Sequence, residues 1–139
     1  MDFALPGAIS AKLVHPERRV LAICGDGGFL MNVQEMETAT RLGVNITVMV
    51  WEDHEFGLIA WKQEAAFGDT TDLKFGNPDW AGLSQAFGWR CHQVNDSRNL
   101  AATVRAAIDE SGPSLVVIPV DYRENMKLTQ HLGEIVCPI

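Results

Sequence analysis

Basic residues are scarce in this chain. Its 139 residues include 11 Lys and Arg against 18 Asp and Glu, a formal net charge of −7. That balance argues against nonspecific nucleic-acid binding, which needs a basic footprint. It argues equally against an anionic membrane surface as partner. Apolar runs such as residues 115–118 are far too short to span a bilayer. No basic stretch followed by an apolar core stands at the N-terminus, so a signal peptide is not expected. Cysteine is sparse: Cys24, Cys91 and Cys137 are odd in number and widely spaced. They suit neither a disulfide framework nor a zinc site, and a reducing cytoplasm is the expected setting. No Gly-Lys-Ser/Thr is present, so there is no P-loop. The dinucleotide fingerprint is met only at Gly25 and Gly27, because Leu30 stands at its third glycine position. Internal repeats and low-complexity tracts are absent.

What is present is an alternation. Apolar residues make up 47% of the chain and charged residues 21%, as in a globular domain with a real core. Residues 4–14 read as a small-residue helix stopped by His15-Pro16. Residues 19–24 (RVLAIC) read as a strand running into a Gly-rich turn, Gly25-Asp26-Gly27-Gly28. Residues 33–42 have helical spacing, with Val33, Met36, Ala39 and Leu42 on one face and Gly43 as the stop. Residues 45–51 (NITVMVW) are β-branched and apolar on both faces, as a buried parallel strand requires. Helix 56–66, loop 67–78, helix 79–87, strand 89–94, helix 97–110 and strand 114–120 follow, then a mixed tail, 121–139. Pro119 suggests an edge or terminal position for the last strand. The expected fold class is α/β, a doubly wound, mainly parallel sheet with helices on both faces.

In such sheets ligands sit beyond the carboxyl ends of the strands. Two strands here end in acidic residues, Asp26 within its glycines and Asp53 within Glu52-Asp53-His54-Glu55. The glycines allow close backbone approach, and the helix that follows offers N–H groups to an anion. A lone Asp in such a turn would repel a phosphate. A hard divalent cation removes the conflict, because Mg²⁺ binds through one or two carboxylates plus phosphate oxygens. Asp26 and Asp53 are therefore candidate metal ligands with a diphosphate as third partner. The bland alternative is an ordinary turn with solvated acidic residues.

Gly25-Asp26-Gly27 with Asp53, 27 residues after Asp26, resembles the cofactor motif of thiamine-diphosphate enzymes, and most closely that of the acetolactate synthase group. Met1-Asp2-Phe3-Ala4-Leu5-Pro6 is similar to that group's Met-Gly-Phe-Ala-Leu-Pro segment. Gly57-Leu58-Ile59 with Trp61-Lys62-Gln63 resembles its active-site helix. Asp121-Tyr122-Arg123-Glu124-Asn125 and residues 133–139 resemble its C-terminal signature. The resemblance implies that the Asp26 and Asp53 side chains and the Glu55 backbone carbonyl bind Mg²⁺. It implies that Gly25, Gly27 and Gly28 hold the diphosphate of thiamine diphosphate. Met1 would sit under the bend of the cofactor, and Leu58 would line the thiazolium side. Four positions depart from the pattern: Glu52 and Asp53 stand for the usual Asn-Asn, where Asp still offers the metal an oxygen, Asp2 stands for a Gly, and Gly28 for a Ser. Glu52 adds a negative charge that the pattern does not explain.

The implied reaction joins two pyruvates into 2-acetolactate with loss of CO₂. It needs an activating Glu on a separate pyrimidine-binding domain, usually of a partner subunit, and no such domain is recognisable here. The expectation is one diphosphate- and Mg²⁺-binding domain over residues 1–139, a C-terminal and N-terminally truncated piece of a longer, homo-oligomeric enzyme. No catalytic residue is assigned to the chain, which is expected to be inactive alone. The competing readings are another 2-keto acid decarboxylase or aldehyde lyase, and a non-catalytic scaffold. His54 is open between an acid/base and a solvated loop residue, and Lys62 between a substrate contact and a solvated helix face. Arg123 is expected in a surface ion pair, and Trp80 and Trp89 in core packing.

Overall fold

The computed structural model describes residues 3–125. Met1 and the tail beyond Asn125, with Cys137, lie outside the described residues. Helix α1 spans Ala4–Val14, strand β1 Leu21–Gly25, helix α2 Asp26–Leu30 and helix α3 Glu35–Arg41. Strand β2 follows at Thr47–Glu52, then helix α4 at Gly57–Phe67, helix α5 at Trp80–Ala86 and strand β3 at Arg90–Gln93. A 3₁₀ turn at Ser97–Asn99 leads into helix α6, Leu100–Asp109, and strand β4 closes the order at Ser114–Pro119.

The four strands form one sheet in the order β1-β2-β4-β3, with every neighbouring pair parallel. Alternation along the strands divides the core between its faces. Val48, Val50, Leu115 and Val117 pack with α1, α3 and α5 through Ile9, Met36, Ala39 and Trp80. Val116 and Ile118 pack on the other face with Ala107 and Leu100 of α6. Both faces therefore carry helices, as the both-face-apolar strands predict. Each Val, Leu, Ile and Met of this buried set is worth about 1.5–3 kcal/mol on removal from water.

Polar groups inside the sheet are paired. Ser114 Oγ donates to Thr47 Oγ1 at 3.0 Å, and Thr47 Oγ1 donates to Ala107 O at 3.3 Å, tying the end of α6 to two strands. Trp89 Nε1 donates to Met36 O at 3.1 Å, so this buried indole bridges α3 and β3. Trp80 is buried as expected.

Two local expectations are corrected, and the two positions left open for Pro119 narrow to one. The Gly25–Gly28 segment is not a plain turn: Asp26 opens α2, whose first residues are the glycines. The 33–42 helix begins two residues later, because residues 32–34 accept 3₁₀-type bonds such as Met36 N to Val33 O at 3.1 Å. Its apolar face holds at Met36 and Ala39 but not at Leu42, which is 43% exposed. Pro119 marks a strand end rather than an edge, since β4 lies between β2 and β3. Val120 N reaches across to Glu52 O. Pro119 therefore turns its missing N–H to the β3 side, where pairing has already ended at Gln93.

Candidate functional site

Gly25 and Trp51 are register partners, so the carboxyl ends of β1 and β2 lie side by side. That pairing brings together two acidic residues 27 positions apart. Asp26 is 1% exposed. Its Oδ1 accepts from Gly27 N at 2.8 Å. Its Oδ2 accepts from Asp53 N at 3.2 Å, His54 N at 2.8 Å and Asn77 Nδ2 at 2.7 Å. A buried carboxylate is tolerated only when paired in this way. His54 makes the geometry possible. Its φ of +60° turns the chain so that two successive N–H groups point at one oxygen.

The Asp53 carboxyl lies near enough to Asp26 for that charge to act on it. Burial, and then the charge of Asp26, push its pKa above the ordinary carboxylate value. Its Oδ1 accepts from Glu55 N at 3.4 Å. Its Oδ2 occupies space over the start of α4, where a Cβ on Gly57 would come within 2.9 Å. Glu55 forms an antiparallel bridge with Lys74. The bonds of that bridge run from Phe56 N to Leu73 O and from Phe75 N to His54 O. Neither of these two bonds uses the Glu55 carbonyl.

The same bridge folds the 68–79 loop back over the strand ends, with the Phe56 and Phe75 rings 5.0 Å apart. Nothing periodic in that loop announces the contact. Nor did the sequence announce Asn77, which this bridge carries to Asp26. Glu52, the unexplained charge, accepts from Trp80 Nε1 at 2.6 Å and Asn77 Nδ2 at 3.0 Å. It is thus a hydrogen-bonded anchor for the loop and for α5. His54 places its ring Nδ1 3.2 Å from Asn77 Nδ2, with the ring largely exposed.

An open cavity of about 910 Å³ runs from α1 along β1 to α4. Gly25, Asp26, Gly27, Gly28, Asp53, Glu55 and Leu58 all border it. Leu58 is 64% exposed there. Gly28 has open space around a would-be Cβ, whereas Gly27 has none, because the Phe56 ring would lie 2.7 Å away. No Lys or Arg is among the described residues that line this cavity. Arg123 borders the smaller pocket beside it but is held by Asp121 through Nε at 2.7 Å, an exposed ion pair as expected. Lys62 lies on an exposed part of α4. Tyr122 packs edge-on to Trp61 and tilted to Trp51. Burial, and then Asp53 and Asp26, raise its phenol pKa. The Cys24 thiol is pushed up to about 12 by burial and by Asp26, so it is an inert wall.

The family described as thiamine pyrophosphate enzyme, C-terminal TPP binding domain, matches residues 1–118. The chain belongs to this family. Among curated relatives of this TPP-binding domain, the catabolic acetolactate synthase of Raoultella terrigena is 41% identical over 137 residues, covering 97% of the chain and 24% of that enzyme. The acetolactate synthase of Bacillus subtilis (strain 168) is 36% identical over 140 residues, covering 97% of the chain and 25% of that enzyme. The chain thus spans about a quarter of the length of the curated relatives it matches. A thiamine diphosphate-dependent 4-hydroxybenzoylformate decarboxylase of Rhodococcus jostii RHA1 superposes with a TM-score of 0.81 at 21% identity, over 89% of the chain and 24% of that protein. That likeness concerns the fold, the parallel α/β arrangement of this TPP-binding domain.

The donor set suits a magnesium ion carried with a diphosphate. Asp26 Oδ1, the Asp53 carboxylate and the Glu55 carbonyl are hard oxygen donors, without nitrogen or sulfur. Among the described residues there is no group of three or more His, Cys, Asp or Glu side chains that could cage a metal. A TPP-binding domain needs none, because Mg²⁺ takes few protein ligands and completes its shell with water and phosphate oxygens.

Proposed function

We propose that this TPP-binding domain holds the diphosphate of thiamine diphosphate through Mg²⁺, as part of an acetolactate synthase-like carboligase that converts two pyruvates to 2-acetolactate and CO₂. The observation that carries the reading is the convergence of two strand-end carboxylates, with Asp53 N donating to Asp26 Oδ2 at 3.2 Å, in a cavity without a lining Lys or Arg. Two neighbouring carboxylates are relieved either by a retained proton or by a cation between them, and only the cation also draws in an anionic ligand. A diphosphate approaching the same walls needs the same cation.

Asp26 Oδ1, the Asp53 carboxylate and the Glu55 carbonyl would hold the metal. The backbones of Gly25, Gly27 and Gly28 would border the diphosphate, and Leu58 the thiazolium. Met1 would lie under the bend of the cofactor. When bound, the cofactor supplies carbanion stabilisation, while the protein supplies binding, orientation and charge. The identity with acetolactate synthases across nearly the whole chain supports pyruvate as substrate. The pyrimidine-binding domain and its activating Glu would come from the rest of a longer enzyme or from a partner subunit, in a homo-oligomeric assembly in the cytoplasm.

Calorimetric titration with thiamine diphosphate, with and without Mg²⁺, tests the reading. Metal-dependent binding that Asp26→Ala abolishes is expected. Binding that ignores the metal would overturn it. Pyruvate added to the purified chain is expected to give no acetolactate.

A further inference from the structure

Asn77 lies 51 residues from Asp26 in sequence, in a loop with no helical or strand periodicity. Its Nδ2 is 2.7 Å from Asp26 Oδ2 and 3.0 Å from Glu52 Oε1. Its Oδ1 is buried and has no hydrogen-bond partner. A primary amide carries two N–H donors at one end and an acceptor at the other. Turned over, it would set its oxygen against two carboxylate oxygens. The nitrogen therefore faces the carboxylates, and the orphaned oxygen is the consequence. A buried acceptor without a partner is unfavourable and rare. Its persistence here marks the nitrogen end as the one the fold requires.

Glu52 completes the clamp from behind. Trp80 Nε1 holds Glu52 Oε1 at 2.6 Å, and the buried Trp80 ring is fixed against Phe29 with centroids 5.8 Å apart. A relay of hydrogen bonds therefore runs from the first residue of α5 through Glu52 and Asn77 to Asp26. Its effect on Asp26 is directional. Oδ2 is occupied by three donors, whereas Oδ1 takes one.

We infer that Asn77 is a positioning residue for the metal carboxylate: by holding Asp26 Oδ2 it leaves Oδ1 as the single oxygen offered to the cation. This rests on the reading of Asp26 as a Mg²⁺ ligand. A carboxylate fixed to offer one oxygen suits the strict octahedron of Mg²⁺. A carboxylate free to swing into two-oxygen coordination suits the larger and more tolerant Ca²⁺. Asn77 thereby favours Mg²⁺ over Ca²⁺.

The test titrates the full chain and Asn77→Ala with thiamine diphosphate in Mg²⁺ and, separately, in Ca²⁺, and records the melting temperature of each protein without metal. The expected result is a loss of at least tenfold in Mg²⁺-supported affinity with a smaller loss in Ca²⁺, so that the ratio of the two affinities moves. A merely structural role would lower the melting temperature and weaken both titrations equally, and that result overturns the inference. So does an Asn77→Ala titration that matches the parent. A parent chain that binds with neither metal would sink the metal reading itself, a separate and visible failure. Asn77→Ser, which keeps a small polar side chain too short to reach both carboxylates, repeats the comparison where the alanine variant does not fold.

Discussion

The backbone N–H of His54 donates to Asp26 Oδ2 at 2.8 Å, locking the turn after β2 onto the first residue after β1. His54 adopts a left-handed φ of +60° to do so. For a residue with a Cβ that conformation costs about 1–2 kcal/mol. Toward Asp26 the contribution of His54 is thus one of backbone, while its largely exposed imidazole meets Asn77. His54→Gly is expected to keep metal-dependent cofactor binding and to stay within about 1 kcal/mol of parental stability, relief of strain offsetting the added chain entropy. His54→Val, β-branched where φ is positive, is expected to lose stability and binding together. Loss of binding in a normally folded His54→Gly would assign the ring a part in the site.

Gly27 and Gly28 are adjacent and alike in sequence, yet their surroundings separate them. A methyl group on Gly27 would meet the Phe56 ring at 2.7 Å and the Phe75 ring at 3.2 Å, while one on Gly28 meets nothing within 4 Å. Gly27→Ala should therefore destabilise the chain by about 1–3 kcal/mol, the usual scale of overpacking. Gly28→Ala should raise thermal stability slightly, because it replaces a helical glycine where there is room, and should weaken thiamine diphosphate binding, because its methyl would project where a diphosphate would approach. Urea unfolding of both variants, beside calorimetry of the second, separates packing from ligand approach. Equal melting of the two would refute the distinction.

The contrast shows which parts of this molecule were legible in sequence. Strands such as residues 45–51 announce themselves because burial on both faces leaves an unbroken apolar run. Asp26 and Asp53 stand out because parallel α/β sheets gather their strand ends on one side, so two acidic ends must converge. Sequence also marked Gly27 as a place of close approach, and on the side a Cβ would take, the close neighbour is the Phe56 ring. The low helix propensity of Gly25–Gly28 suggested a turn, whereas packing of Phe29 into the core carries α2 through its glycines. Asn77 and Trp80 were illegible as site residues. Each reaches its carboxylate across a chain separation of 25 residues or more, through a loop whose pairing with 54–56 leaves no periodic trace.

Asp53 gives the pH dependence. Its native pKa lies above the ordinary value of 3.8, raised first by burial and then by Asp26. Below that ordinary value the group is protonated whether the chain is folded or not, and it imposes no penalty. As pH rises toward the native pKa, the unfolded chain releases its proton before the native one does. The folded state is then progressively disfavoured, and the penalty is complete above the native pKa. Asp53→Asn should therefore raise the melting temperature of the metal-free chain at pH 7, by a free energy of a few tenths of a kcal/mol for this partly exposed group, and should do little near pH 3. With Mg²⁺ and thiamine diphosphate the advantage of the variant should shrink, since its neutral amide oxygen still reaches the cation but holds it less strongly than the carboxylate of the parent. A variant less stable than the parent at pH 7 without metal would refute the like-charge conflict.

Glu52 and Trp80 supply the last prediction. The bond of 2.6 Å between them joins a mostly buried carboxylate to a buried indole. Trp80→Phe keeps most of the ring packing but withdraws a donor from a carboxylate that has little access to water. Leaving such a group short of a partner costs about 1–3 kcal/mol, or more where it is charged. Glu52→Leu leaves the indole N–H without its acceptor and should cost a similar amount. Removing both partners replaces the pair by apolar surface of similar shape, so the double variant should be markedly less destabilised than the sum of the singles. Chemical unfolding of the four proteins in a double-mutant cycle measures that coupling. Simple additivity would show that the Glu52–Trp80 bond contributes nothing beyond the packing around it.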